Sequence, residues 1–100
     1  MRIYISGAIS KDKGFYRRFL NAESDLKRQG HDVINPARIG KVLPKSMDYE
    51  EIMSIDLFLL DMCDAICLLQ GWEKSDGAKR EFEFAKANEK KIFYQRSAKR

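Results

Sequence analysis

Two rhythms of apolar and polar residues alternate along this chain: short continuous apolar runs, and longer stretches with a helical period. Arg2-Ile3-Tyr4-Ile5 is the first run and reads as a strand stopped by Ser6-Gly7. After a polar loop containing Asp12 and Gly14, Phe15, Phe19, Ala22 and Leu26 recur at spacings of four, three and four. That stripe predicts one buried helix face, with Gly30 placed as the glycine that ends the helix. Asp32-Val33-Ile34 is a short second strand; Pro36 holds Asn35 extended and ends it. Residues 37–47 read as a loop. A second helix is expected from near Asp48, which has capping-box spacing with Glu51, to about Met62. Ala65 to Leu69 is a continuous apolar run, the pattern of a central strand covered on both faces. A loop from Gln70 to Asp76 leads to a third helix, about Gly77 to Glu89, and Ile92-Phe93-Tyr94 is the last strand.

Strands and helices in strict alternation predict an α/β fold with a parallel sheet. Right-handed crossovers leave few arrangements. The expected one is a flavodoxin-like three-layer sandwich, with four strands in the order 2-1-3-4 and three helices. Ligands of such sheets bind at the carboxyl ends of the strands flanking the switch point. Here those ends are Tyr4-Ile5-Ser6-Gly7 and Leu69-Gln70-Gly71-Trp72.

With 100 residues, one domain is expected. The net charge of +4 suggests nucleic acid until its distribution is read. Residues 1–85 hold 13 Lys/Arg against 14 Asp/Glu, whereas residues 86–100 hold six basic residues against Glu89. The basicity belongs to the C-terminal end, so a solvated tail over residues 95–100 is expected and a nucleic-acid partner is not. No apolar run approaches membrane-spanning length, and no leader pattern opens the chain, so a cytoplasmic location is expected. Cys63 and Cys67 bracket a helix end and a strand, where packing is the expected role. A single histidine, His31, gives no basis for a His-based metal site, and neither metal nor cofactor is expected.

Two acids stand out of pattern. Ile52, Leu59, Leu60 and Cys63 define an apolar stripe on the second helix, and Asp56 lies on it. It faces a cavity or is buried beside a donor, or else the stripe is rotated and Asp56 caps a loop amide. Glu81 is stacked between Gly77 and Ala85 at i, i+4 and i+8, with Ala78 and Phe82 on the core side. Small neighbours leave space for a substrate around its carboxylate; the alternative is an ordinary solvated Glu. The second helix also has a second apolar face, Ile55, Phe58 and Met62, to be covered by another subunit or by the first helix. Neither GxGxxG after a strand nor GxxxxGK[ST] is present, and Ser6-Gly7-Ala8-Ile9-Ser10 is a loop of mostly small residues whose amides suit an anion.

Four segments fall in a familiar order. They are Tyr4-Ile5-Ser6-Gly7-Ala8-Ile9-Ser10, Gly30-His31-x-Val33-Ile34-Asn35-Pro36, Asp56-Leu57-x-x-Leu60-x-x-Cys63-Asp64-Ala65-Ile66, and Gly77-x-x-x-Glu81-x-x-x-Ala85. Together they resemble the nucleoside 2-deoxyribosyltransferase superfamily over a domain at residues 1–94, and are similar also to its 2′-deoxynucleoside 5′-phosphate N-hydrolases. The resemblance implies cleavage or transfer of the N-glycosidic bond of a 2′-deoxynucleoside or its monophosphate. Glu81 matches the nucleophile, and Asp56 the acid that protonates or orients the departing base. Tyr4 matches a tyrosine at the end of the first strand in the monophosphate hydrolases, and Ser6-Gly7 lies in the adjoining substrate loop. Trp72, Ser75 and Gly77, in Gly71-Trp72-Glu73-x-Ser75-x-Gly77-Ala78, join the expected substrate-binding set. A homodimer or higher oligomer is implied, with a polar residue downstream of Glu81 (Gln95, Arg96 and Ser97 stand there) reaching a neighbouring subunit's site. A nucleotide-binding module without turnover is the alternative function.

Overall fold

Each apolar run becomes a strand of one sheet. A computed structural model describes residues 1–9 and 14–95. Ser10, Asp12, Ser97 and the basic residues Arg96, Lys99 and Arg100 lie outside the described residues. In chain order the elements are β1 (Arg2–Ser6), α1 (Gly14–Arg28), β2 (Asp32–Ile34), α2 (Pro36–Gly40), α3 (Tyr49–Asp61), β3 (Ala65–Leu68), a 3-10 turn at Trp72–Lys74, α4 (Asp76–Ala87) and β4 (Lys91–Tyr94). The four strands are all parallel in the order β2-β1-β3-β4, the order expected from the sequence. Tyr4 lies beside Ile34 and Ile66, and Ser6 beside Leu68.

Because side chains alternate along a strand, β1 and β3 divide their residues between two cores. Tyr4, Ile66 and Leu68 pack with Leu60 and Cys63 at α3 and with Ala85 of α4. Ile3, Ile5, Ala65 and Cys67 point the other way, toward Phe19, Ala22 and Leu26 of α1 and Ala37 of α2. β3 is buried along its whole length, as its unbroken apolar run predicts. Both cysteines are buried and free. Since α1 sits on the opposite face of the sheet from α3, it does not cover the second apolar face of α3. Phe58 is 65% exposed and Met62 44%.

The expected helix signals at α1 and α3 work as read. Gly30 adopts φ +92, which a glycine takes without steric cost. Asp48 Oδ1 accepts from the Glu51 amide at 2.8 Å and Glu51 Oε1 accepts from the Asp48 amide at 2.9 Å, closing the capping box.

One expectation needs correction: α2 is a fourth helix, set where a loop was expected after Pro36. Asn35 Oδ1 accepts from the Ala37 amide at 3.0 Å, and Pro36 occupies the first helical position, where no N–H is required. Asn-Pro therefore ends β2 and starts α2 in one step. The same Asn35 donates through Nδ2 to buried Glu23 at 2.9 Å, where Arg38 Nε (2.7 Å) and Lys27 Nζ (2.8 Å) also meet the carboxylate. Burial opposes ionisation of Glu23, but those donors outweigh it and hold the carboxyl down at about 2. This polar knot fastens α1 to α2.

Candidate active site

Tyr4 and Ser6 are two apart on β1, so both project onto the face covered by α3 and α4. α4 brings Ala78, Glu81 and Ala85 against that face, all buried. With only methyl groups on either side of it, Glu81 reaches the sheet. Tyr4 Oη donates to Glu81 Oε2 at 2.7 Å, and Ser6 Oγ donates to Glu81 Oε1 at 2.6 Å. Each carboxylate oxygen thus holds its own hydroxyl, in a side chain that is 6% exposed. Glu81 is not the solvated acid of the simpler alternative.

Burial pushes the Glu81 carboxyl up to about 7; the Ser6 and Tyr4 hydrogen bonds work against that rise and the nearby Asp56 charge adds to it. The Tyr4 phenol is driven well above its usual 10.0, first by burial and then by the Glu81 and Asp56 charges. Tyr4 therefore remains a donor at any working pH. Asp56 is raised to about 6 by burial.

Asp56 reaches the same space from α3. Tyr49, Ile52, Met53 and Asp56 repeat at helical spacing, and all four line a cavity of ≈ 240 Å³ together with Glu81. Of the placements expected for Asp56, the cavity is the one found. The remaining wall is largely apolar: Phe19, Pro36 and Ala78, with Ile9 at the rim. Gly7 bounds it where the β1 loop crosses the end of β3; a side-chain carbon there would stand 3.0 Å from Leu69 Cβ. The cavity continues outward into a groove of ≈ 890 Å³ that shares Ile9, Tyr49, Ser75 and Gly77 and adds Arg18, Lys74 and Arg80.

Of the expected site residues, Tyr4, Ser6, Gly7, Asp56, Ser75, Gly77 and Glu81 converge here, at the carboxyl ends of β1 and β3. Ser75 also caps α4, its Oγ accepting from the Ala78 amide at 3.1 Å. Trp72 is placed elsewhere. Its ring packs on Phe82 (4.8 Å between centroids) and Tyr94 (6.5 Å), and it lines neither space. Gln95 is engaged at the sheet end, accepting from the Gln70 amide at 2.9 Å. Tyr49, Arg18 and Arg80 were not anticipated from sequence. For Tyr49 the signal existed: it stands seven residues before Asp56 on one helical stripe.

Among the described residues, no cluster of three His, Cys, Asp or Glu side chains is placed to hold a metal ion, and no helix is long and apolar enough to cross a membrane. What the geometry offers is a carboxylate fixed through both oxygens beside a second carboxyl in a largely apolar cavity. Residues 1–94 match a family model described as Domain of unknown function (DUF4406). No curated protein matches the chain.

Proposed function

The chain belongs to the DUF4406 family, and from the resemblance of its motifs to the nucleoside 2-deoxyribosyltransferases, taken with the geometry of the site, we propose that it cleaves the N-glycosidic bond of a 2′-deoxynucleoside or its 5′-monophosphate. The observation that carries this reading is the Glu81 carboxylate, held by Tyr4 and Ser6 in one cavity with Asp56. The kinship proposed is with the nucleoside 2-deoxyribosyltransferase superfamily, whose expected site positions are the ones that gather there, Trp72 excepted.

In this mechanism a Glu81 oxygen attacks C1′ as the C1′–N bond breaks, and the departing base nitrogen takes the proton of Asp56. The sugar is then held as a glycosyl ester on Glu81. Water, or the nitrogen of a second base, attacks C1′ and gives its proton to Asp56, and Glu81 leaves as carboxylate. The hydrolase and the transferase differ only in that acceptor. Tyr4 and Ser6 fix the attacking oxygens in place and favour their ionised form. The apolar walls at Phe19, Pro36, Ile52 and Met53 suit a flat base. Arg18 and Lys74 in the groove suit a phosphate.

The acids titrate as a pair, near 7 and 6, and the reactive arrangement has Glu81 ionised and Asp56 protonated. Burial, which raises Glu81, favours one second reading: a nucleotide-binding module in which a protonated Glu81 only donates a hydrogen bond. Incubation with a panel of deoxynucleosides and their monophosphates, followed by chromatography of free base, decides between them. Base release supports the enzyme; binding without release supports the module. A cytoplasmic homodimer formed through Ile55, Phe58 and Met62 completes the proposal.

A further inference from the structure

The mouth of the carboxylate cavity is built around Tyr49. It opens α3 on the stripe that carries Asp56, two turns and about 10 Å of helix rise away. Its ring borders both the inner cavity and the outer groove and is 51% exposed, so the core does not account for it. Arg80 steadies the ring from outside, with its guanidinium carbon 5.6 Å from the ring centroid. Glu50 in turn grips Arg80 through two hydrogen bonds of 3.0 and 3.1 Å.

The phenol oxygen points toward the start of α4. A side-chain carbon on Gly77 would stand 3.4 Å from Tyr49 Oη and 3.8 Å from Ser75 Oγ. Two hydroxyls therefore converge beside a residue with no side chain, between the carboxylates inside and Arg18 and Lys74 outside. Met53 Sδ borders the same spot at 3.4 Å, and among the described residues the spot lies where the two spaces share their lining.

We propose that Tyr49 is a specificity-determining residue, its hydroxyl donating a hydrogen bond to the oxygen on the 5′ carbon of the substrate sugar. The proposal rests on the deoxynucleoside reading. With C1′ at Glu81 and the base among Phe19, Pro36, Ile52 and Met53, the far end of the sugar points out through the mouth. The 5′ oxygen is the acceptor carried at that end. It is a hydroxyl oxygen in a nucleoside and an ester oxygen in a monophosphate, and both accept.

The test is base release by the wild-type chain and Tyr49→Phe, with a deoxynucleoside, its 5′-monophosphate and its 5′-deoxy analogue. Phenylalanine keeps the ring that Arg80 faces and removes the hydroxyl, both as a donor to substrate and as a partner of Arg80; a loss that came through Arg80 alone would fall equally on the 5′-deoxy analogue. KM for the two substrates with a 5′ oxygen is expected to rise about tenfold, the size of one hydrogen bond, while the 5′-deoxy analogue does not distinguish the two proteins. Equal KM on every substrate overturns the proposal, as does a loss that is just as large on the 5′-deoxy analogue. If the wild type binds without releasing base, the same comparison is made on Kd by calorimetry, with the same criterion. If it neither releases base nor binds, the deoxynucleoside reading falls and takes this one with it. An active wild type with an unaltered Tyr49→Phe overturns the Tyr49 role alone.

Discussion

Ser6 Oγ lies 2.6 Å from Glu81 Oε1, a bond between the end of the first strand and the middle of the last helix. It exists because Ser6 shares a strand face with Tyr4, whose hydroxyl takes the other carboxylate oxygen at 2.7 Å. Removing either donor leaves a buried carboxylate oxygen without its partner and favours the protonated acid. Ser6→Ala and Tyr4→Phe are each expected to lower kcat/KM about 10-fold to 100-fold at neutral pH, from the loss of one charge-assisted hydrogen bond. Part of the loss returns as pH rises and Glu81 ionises again. A pH–rate profile superimposable on the wild type would refute the role given to these hydroxyls.

Glu81 also sets a stability prediction. Its carboxyl is raised from 4.5 to about 7 by burial, so between those values the folded chain holds a proton that the unfolded chain has released. Stability therefore falls as pH rises through that window. Asp56 acts with the same sign between 3.8 and about 6. Glu23 acts with the opposite sign: held at about 2, it contributes above its ordinary 4.5 and loses that contribution in acid. Glu81→Gln cannot ionise, so its Tm should gain on the wild type from pH 5 to pH 8, by an equivalent of at most about 3 kcal/mol. A constant Tm difference across that range would contradict the raised carboxyl.

Most of the fold was legible because its signals are local. Strand runs, the α1 stripe, the Asp48–Glu51 capping box and Gly30 each act within a few residues. α2 departs from the expected loop although its signal is equally local: Asn35-Pro36 ends a strand and also starts a helix. Within the site, Asp56 and Glu81 were visible as acids at apolar or small-residue positions. The depth of Glu81 was not visible, since it depends on two hydroxyls more than seventy residues away. Trp72 misled for a related reason. An aromatic beside a binding loop can turn into the loop or onto the neighbouring helix, and here Phe82 and Tyr94 took it.

The uncovered face of α3 makes a prediction about assembly. Phe58 and Met62 are exposed beside half-buried Ile55, and α1 is on the far side of the sheet. A second copy of the chain is the cover proposed for this face. Sedimentation at micromolar concentration should show a dimer or larger species, and Phe58→Asp should shift it toward monomer, because pairing would then bury an unpaired charge. A wild-type monomer, or a Phe58→Asp variant that assembles unchanged, refutes the interface.

Gly7 tests how tightly the site is built. An alanine there places its Cβ 3.0 Å from Leu69 Cβ, with Leu69 Cγ and Cδ1 both at 3.2 Å. Leu69 is buried in the α1 core and its Cβ is tied to the backbone, so the loop has to move instead. Gly7→Ala is expected to cost about 1–3 kcal/mol of stability, the range for overpacking. Since Gly7 bounds the cavity, KM should rise in the same variant. Denaturant unfolding and base-release kinetics read the two effects separately, and an unchanged unfolding midpoint would argue against the close approach.

The roles of the two carboxylates separate by leaving group. Glu81 forms the bond to C1′, so Glu81→Gln should abolish base release whatever the base, as the amide cannot form the ester. Asp56 supplies a proton, so Asp56→Asn should cost about 10²–10⁴ in rate for a base that leaves poorly and much less for one that leaves easily. The wild-type profile of kcat/KM should be a narrow bell, its limbs set by the coupled pair near 6 and 7. Replacing Asp56 removes the limb that falls toward alkaline pH. It also removes the negative charge that raises Glu81, so the single limb that remains, Glu81's own ionisation, should lie below 7. The physical sequence is closed: one substitution both unmasks the nucleophile and lowers its pKa. An Asp56→Asn enzyme that keeps a bell-shaped profile, or loses the same factor for every base, would assign the proton to another group.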